Sequence, residues 1–465
     1  MSYTSSRFRK LVQTETDGKY QISEPERDLI QFGSDGYTAG IQFYPEDIVE
    51  LSLVKDETGE NCFYLHFRAN DQVHAEELLH DLMDAFEHLK TAVKRTVLIV
   101  CSSALTSSFF AMKLNEAAEL LKIDYEFSSA DVTRLYKIGF DYEAVLLTPQ
   151  VSYEYAKASH IFRKQIVMKI PVQSYAKYST GEVLNELNEA WQEHARRKET
   201  PGASELHLPI DTAYRILVIG MINHRDIKRI YYRIYDHGRK TLNKEVIKTD
   251  LNQKDLADLL DYIFTRHQNI DAVVLGLPGV EENGCLTWIG SEFDHAELCR
   301  QLSEKYHHRF YLLNDVNAVA LGCSAVHGGH VDMLFYFQPL LSWVPGAGLI
   351  EEGRLHKGYH NAAGEMRPYM TCMVNRAEDK ISDPKGALEI VAKGLLAFIC
   401  TSAPKYIVIC SELTPDVQEI HEELQKYVPE EYIPPMEIVH EMKEYFLSGL
   451  LSYGISQITD DQNLL

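Results

Sequence analysis

The residues best placed to do chemistry begin with Cys101. It closes the apolar run Val97-Leu98-Ile99-Val100 and is followed by Ser102, Ser103, Thr106, Ser107 and Ser108. A thiol at the end of a buried strand, ahead of a hydroxyl-rich turn that opens a helix, faces backbone N–H groups and the positive end of the helix dipole. Both lower a thiol pKa and cradle an anion. This is chemistry suited to a phosphorylated cysteine, with the hydroxyls of the turn as phosphate ligands. The competing reading, a small buried residue at a strand end, stays open. Further along, Thr148-Pro149-Gln150-Val151 ends another strand on the same edge, where the carboxyl ends of parallel strands meet.

The elements that must hold Cys101 alternate cleanly. Strands are predicted at 96–100, 125–128, 144–147 and 166–170, with helices at 109–122 and 152–162, an order that implies a parallel sheet. Upstream, residues 1–92 give strand-like runs at 38–43, 48–55 and 62–68, then a helix with Leu78, Leu79, Leu82, Met83, Phe86 and Leu89 on one face. This reads as a small α+β domain without a phosphate loop, nucleophile or metal spacing. Packing or dimerisation is its default role, so a homodimer stays open. A polar stretch around Pro201 and Gly202 reads as a linker, giving domains at 1–92, 93–190 and 211–465, with 191–210 between the last two. From residue 215 the predicted order is three antiparallel strands, a crossover helix and a further strand, given twice. That is the order of a duplicated RNase H-like, actin-type α/β fold, which closes over ligands between its halves.

Two resemblances follow from particular motifs. C-x-x-x-x-T-S-S after the first strand of the 93–190 segment, with the Pro149-Gln150-Val151 turn later, resembles the lactose/cellobiose-type IIB proteins of the sugar phosphotransferase system. The resemblance implies that Cys101 accepts a phosphoryl group from a histidine of a IIA-type partner, cradled by the 102–108 turn. The second rests on Gly276-Leu277-Pro278-Gly279-Val280, Asn314-Asp315-Val316-Asn317-Ala318, Gly346-Ala347-Gly348-Leu349-Ile350 and His360-Asn361-Ala362-Ala363-Gly364-Glu365. In this order they resemble the ROK family of sugar kinases and sugar-responsive repressors. The resemblance implies that Asp315 is the base for a sugar hydroxyl, with Asn314 and Glu365 as sugar ligands; Arg367 can pair with an anionic substituent. Without those neighbours, Asn314 or Asp315 reads as a helix cap.

The departures from ROK kinases concern the nucleotide. Their first phosphate loop has an Asp and a Gly-Gly-Thr turn, where this chain has Gly220-Met221-Ile222-Asn223-His224-Arg225-Asp226. The Gly-Thr-Gly of the second loop is replaced by Ser342-Trp343-Val344-Pro345, and the late Gly-Gly by Cys410-Ser411. Losing phosphate cradles costs orders of magnitude in transfer rate, which argues against an ATP-dependent kinase. The family's Glu-x-Gly-His is Glu365-Met366-Arg367-Pro368, and no CxCGxxGC follows, so the ATP and zinc sites read as degraded and no cofactor or metal is expected.

Bulk properties narrow the function. The formal charge of −22 over 465 residues repels phosphate backbones, and no helix-turn-helix is evident, so direct DNA binding is disfavoured. No run approaches membrane-spanning length, and the eight scattered cysteines form no CxxC pair, which fits a cytoplasmic chain with reduced thiols. The expected function is a sugar-responsive regulator that senses a sugar or sugar phosphate in the ROK-like cleft and phosphotransferase state at Cys101. The alternative is a sugar kinase or phosphotransferase using Asp315 as base.

Overall fold

The computed structural model describes residues 3–463, apart from 17–19, 21, 27, 35, 57–58, 92–93, 103, 122, 199–211, 225–226, 249–251 and 289–290. Its first strands are β1 (Ile22–Glu26), β2 (Leu29–Ser34), β3 (Tyr37–Tyr44), β4 (Ile48–Lys55) and β5 (Glu60–Arg68), each antiparallel to the next. The last three match the runs legible in sequence. The first two, and the helix Ser5–Thr16, add to them. That helix buries Phe8, Val12 and Thr16, with Leu11 packed beside them, within a largely polar sequence.

The segment 93–190 folds around a parallel sheet of β6 (Arg95–Cys101), β7 (Tyr125–Asp131), β8 (Ala144–Leu147) and β9 (Ile166–Lys169), in the order β7-β6-β8-β9. Side chains alternate across it, as strand geometry requires. Val97, Ile99, Ala144 and Leu146 face the helices Ala104–Leu121 and Thr180–Lys198. Leu98, Val100, Val145 and Leu147 join a different core, shared with Leu334, Tyr336, Ile407 and Ile409 of the C-terminal half. The segment is therefore docked by one face of its sheet. Its last helix runs to Lys198, through the start of the expected linker; residues 199–210 of that linker lie outside the described residues.

The C-terminal half has two lobes of equal topology. The first holds β10 (Arg215–His224), β11 (Ile227–Asp236), β12 (Arg239–Lys248), the helix Gln253–Arg266, β13 (Ala272–Leu277), a small hairpin β14 (Val280–Glu282) and β15 (Cys285–Thr287), and β16 (Arg309–Asn314). The second holds β17 (Met333–Gln338), β18 (Gly346–Glu351), β19 (Arg354–His356), the helix Pro384–Thr401, β20 (Tyr406–Ser411) and β21 (Met436–Ile438). Hairpin strands lie antiparallel and later ones parallel, in the orders β12-β11-β10-β13-β16 and β19-β18-β17-β20-β21. This is the duplicated actin-type α/β architecture expected from the element order. The helices Asp315–Val326 and Lys443–Asn463 pack between the sheets so closely that a Cβ at Gly449 would lie 1.7 Å from the Ala318 carbonyl oxygen.

Residues 1–92 share structure with the first lobe. Ile247 of β12 pairs with Tyr64 of β5, which makes one ten-stranded sheet, and one apolar core runs from Phe8 and Phe86 to Leu259 and Val273. Buried charge completes the joint. His74 bonds Asp258, and Lys248 Nζ lies 3.0 Å from both Asp81 and Asp255.

Candidate functional site

The strand β16 ends at Asn314, which caps the following helix by accepting from the Asn317 N–H at 3.0 Å. Its Nδ2 also donates to the Gly279 carbonyl at 2.9 Å, so the β13–β14 turn and the helix start are fixed to one another. Gly279 has φ of +107°, a conformation that suits glycine. Asp315 occupies the first helical position, and its Oδ1 accepts from the Val316 N–H at 2.9 Å. Burial pushes its carboxyl up to about 6; the Val316 bond opposes this, and the nearby Glu365 charge adds to it. Glu365 is itself raised by burial, with Arg367 acting against that shift.

Asn314, Asp315 and Glu365 meet in a cavity of about 280 Å3 between the lobes, beside Pro278, Gly279 and Gly346. The rest of its wall is apolar, including Ile222, Phe337, Val344, Pro345, Met442 and Phe446. The first of these belongs to β10, which stays paired with β11 up to His224 and Ile227. Val344 and Pro345 belong to the segment that departs from the second phosphate loop. Arg367 is exposed and does not line the cavity; its guanidinium carbon sits 5.9 Å from the Trp343 ring centre.

A polar clasp across the lobes was not legible in sequence. Glu281, on the hairpin after Gly279, is buried and bonded by Lys357 Nζ at 3.1 Å; the same Nζ donates to the Tyr453 hydroxyl at 3.3 Å. Asn361 Nδ2 donates to the Glu281 carbonyl at 2.6 Å, and His360 pairs with Glu282 at 2.6 Å. Gly358, His360 and Asn361 all have positive φ, the latter two at 50° and 56°, a strain of order 1–3 kcal/mol per non-glycine residue. Both sides of the clasp lead directly into the cavity, through Gly279 on one side and Glu365 on the other.

The second candidate centre is Cys101, at the end of β6 and fully buried. Its thiol donates to the buried Ser107 Oγ at 2.9 Å. Ser102 is exposed and donates to Gln150 Oε1 at 3.2 Å, tying the cysteine turn to the Pro149–Glu154 helical turn. Ser108 Oγ lies 3.1 Å from Ser129 Oγ, at the surface. Ser103 lies outside the described residues, and Thr106 falls within the helix Ala104–Leu121. Among the described residues no group of three or more His, Cys, Asp or Glu could hold a metal ion, and no helix is long and apolar enough to cross a membrane.

Comparison with known proteins bears on the segment that holds Cys101. Residues 96–186 match the family model of the phosphotransferase-system lactose/cellobiose specific IIB subunit. A search of curated proteins finds no match to the sequence. Among solved structures, a ROK family protein from Streptococcus pneumoniae in complex with sucrose is 18% identical, with 53% of this chain and 99% of that chain covered and a TM-score of 0.42. A ROK family transcriptional regulator, described as a homolog of the E. coli MLC protein, is 12% identical over 70% of this chain and 95% of its own, with a TM-score of 0.40. The lactose-specific IIB component of S. pneumoniae is 22% identical over 21% of this chain and 98% of its own, with a TM-score of 0.20. Over residues 96–186 the chain is thus similar to a lactose/cellobiose-type IIB subunit.

Proposed function

We propose that this chain is a sugar-responsive regulator with two inputs. The lobe cleft binds a sugar or sugar phosphate without ATP-dependent transfer, and Cys101 takes a phosphoryl group from a histidine of a IIA-type protein. Each event biases the same molecule toward one of its states. The observation that carries the cleft reading is the meeting of Asn314, Asp315 and Glu365 against a wall built from Ile222, Val344 and Pro345. Convergent polar groups suit a polyol, and the apolar wall suits a sugar ring's C–H face while offering no donors to a nucleotide phosphate. With a net charge of −22, the output is directed at another protein instead of DNA.

A second reading has one observation in its favour. A carboxyl raised to about 6 is poised as a general base, so Asp315 suits a phosphotransferase that passes the group from Cys101 to a sugar hydroxyl.

Calorimetric titration of the full chain with aldohexoses, N-acetylhexosamines and their 6-phosphates tests the cleft. At least one binds with a Kd of roughly 1 μM to 1 mM, and Glu365→Gln weakens it about tenfold by removing a charged hydrogen-bond acceptor. No binding by any of them, or binding indifferent to Glu365→Gln, contradicts the reading. Sugar-dependent loss of a phosphoryl group from Cys101 that fails in Asp315→Asn selects the phosphotransferase.

A further inference from the structure

Two buried hydroxyls near Cys101 have no hydrogen-bond partner. One is Thr148 Oγ1, in a residue with no exposed surface, and the other is the phenol oxygen of Tyr175, in a residue 9% exposed. An unsatisfied buried hydroxyl costs about 1–3 kcal/mol, a cost that an acceptor held at this spot would relieve.

Strand register places Thr148 beside Cys101, and a shared core places Tyr175 on the same side of the sheet. In the parallel pairing of β6 with β8, Val100 lies opposite Leu147, so Cys101 and Thr148 are neighbours one position further on. They share the parity of Ile99 and Leu146, which face the core under the helices Ala104–Leu121 and Thr180–Lys198. Tyr175 belongs to that core, with its ring edge-on to Phe110 at 5.3 Å. Phe110 lies three residues beyond Ser107, on the same face of its helix, and Ser107 Oγ accepts the Cys101 thiol at 2.9 Å. Burial raises the Tyr175 phenol, and the charge of Cys101 raises it further, which places the two within electrostatic reach.

We propose that Thr148 and Tyr175, together with Ser107, are hydroxyl donors that hold a phosphoryl group on Cys101. This assignment rests on the reading of Cys101 given above and extends the site beyond the turn that follows the cysteine. In the transfer, Cys101 Sγ attacks the phosphorus of a phosphohistidine. The S–P bond forms, the P–N bond breaks, and its electron pair returns to the imidazole nitrogen, which ends with the proton lost by the thiol. The Thr148 and Tyr175 hydroxyls then donate to the phosphoryl oxygens, where charge-assisted bonds are strongest. Since the sulfur is fully buried, the donor reaches it through a local rearrangement, and reclosure screens the product from water.

Thr148→Val and Tyr175→Phe keep shape and remove one hydroxyl each. The full chain is phosphorylated from phosphoenolpyruvate through the general phosphotransferase proteins and a IIA protein, and separately by phosphoramidate, which carries the same P–N bond. Phosphocysteine is read by intact mass and phosphorus NMR, with Cys101→Ser as blank. Both variants are expected to melt at or above the wild-type temperature, because an unpartnered hydroxyl has been removed. They form phosphocysteine about tenfold more slowly, the loss of one charged hydrogen bond, with a shifted phosphorus resonance; Thr148→Ser restores rate and resonance. Wild-type rates and an unmoved resonance in both variants overturn the assignment while leaving Cys101 as acceptor. No phosphocysteine in the wild type from either donor overturns the reading of Cys101 itself, and this assignment with it.

Discussion

Asp315 shows how position sets the chemistry of one residue. Its carboxyl sits at the head of a helix against the cavity wall, and the backbone N–H bonds it accepts, that of Val316 first, do not offset the burial that lifts it to about 6. A folded-state value above the unfolded one means that the ionised form is disfavoured in the native protein. Stability therefore increases as pH falls from above 6 toward about 4, the unfolded carboxyl's range. Asp315→Asn removes this dependence and is expected to stabilise the chain by roughly 1–2 kcal/mol at pH 7.5, with no gain at pH 4. Urea denaturation at the two pH values measures it; an equal effect at both would contradict the assignment. Asp315 and Asn314 were legible in sequence because they sit beside glycine motifs in order. Thr148 was legible only as the start of a strand-end motif on the same edge, with no role, and Tyr175 was not marked at all: strand register sets Thr148 beside Cys101, and the short helix Val172–Ala176 carries Tyr175 into the same core.

At the scale of elements, alternation was the readable signal. The predicted strands at 38–43, 48–55 and 62–68 became β3, β4 and β5, whose buried residues recur on one face. By contrast β1, with sequence ISEPE, has Ile22 as its only large apolar residue and contains Pro25; it forms because β2 offers it an edge. The clasp was equally unreadable, since Glu281 and Lys357 lie on different lobes and meet only when the lobes close. Lys357→Met leaves the Glu281 carboxylate buried without its cation and is expected to destabilise by about 2–3 kcal/mol. Adding Glu281→Gln should recover most of that loss, because the stranded charge goes with it. Equal stability of Lys357→Met and wild type in urea would show that the clasp holds nothing.

Across the whole molecule, the sequence divides where the structure joins. Residues 1–92 complete the sheet and core of the first lobe, and the 93–190 segment shares a core with the second. Each lobe thus carries an added unit on the side away from its partner. Periodicity could not show this, because a strand's buried face reads the same whether a helix or another domain covers it. If the proposed function holds, Cys101 and the lobe cleft act on one connected body. The turn holding Gln150 is bonded to Ser102, and its Val151 is packed in the core of the second lobe. On the proposed reading, Asn314, Asp315 and Glu365 serve a sugar, and the apolar wall of Ile222, Val344 and Pro345 offers a phosphate no donors. The most direct measurement is ADP formation by the purified full chain with magnesium, ATP and each sugar that binds it. A sugar receptor without ATP-dependent transfer gives no ADP above the no-protein background. Sugar-dependent turnover in the range of about 1–100 per second, typical of kinases, would contradict it.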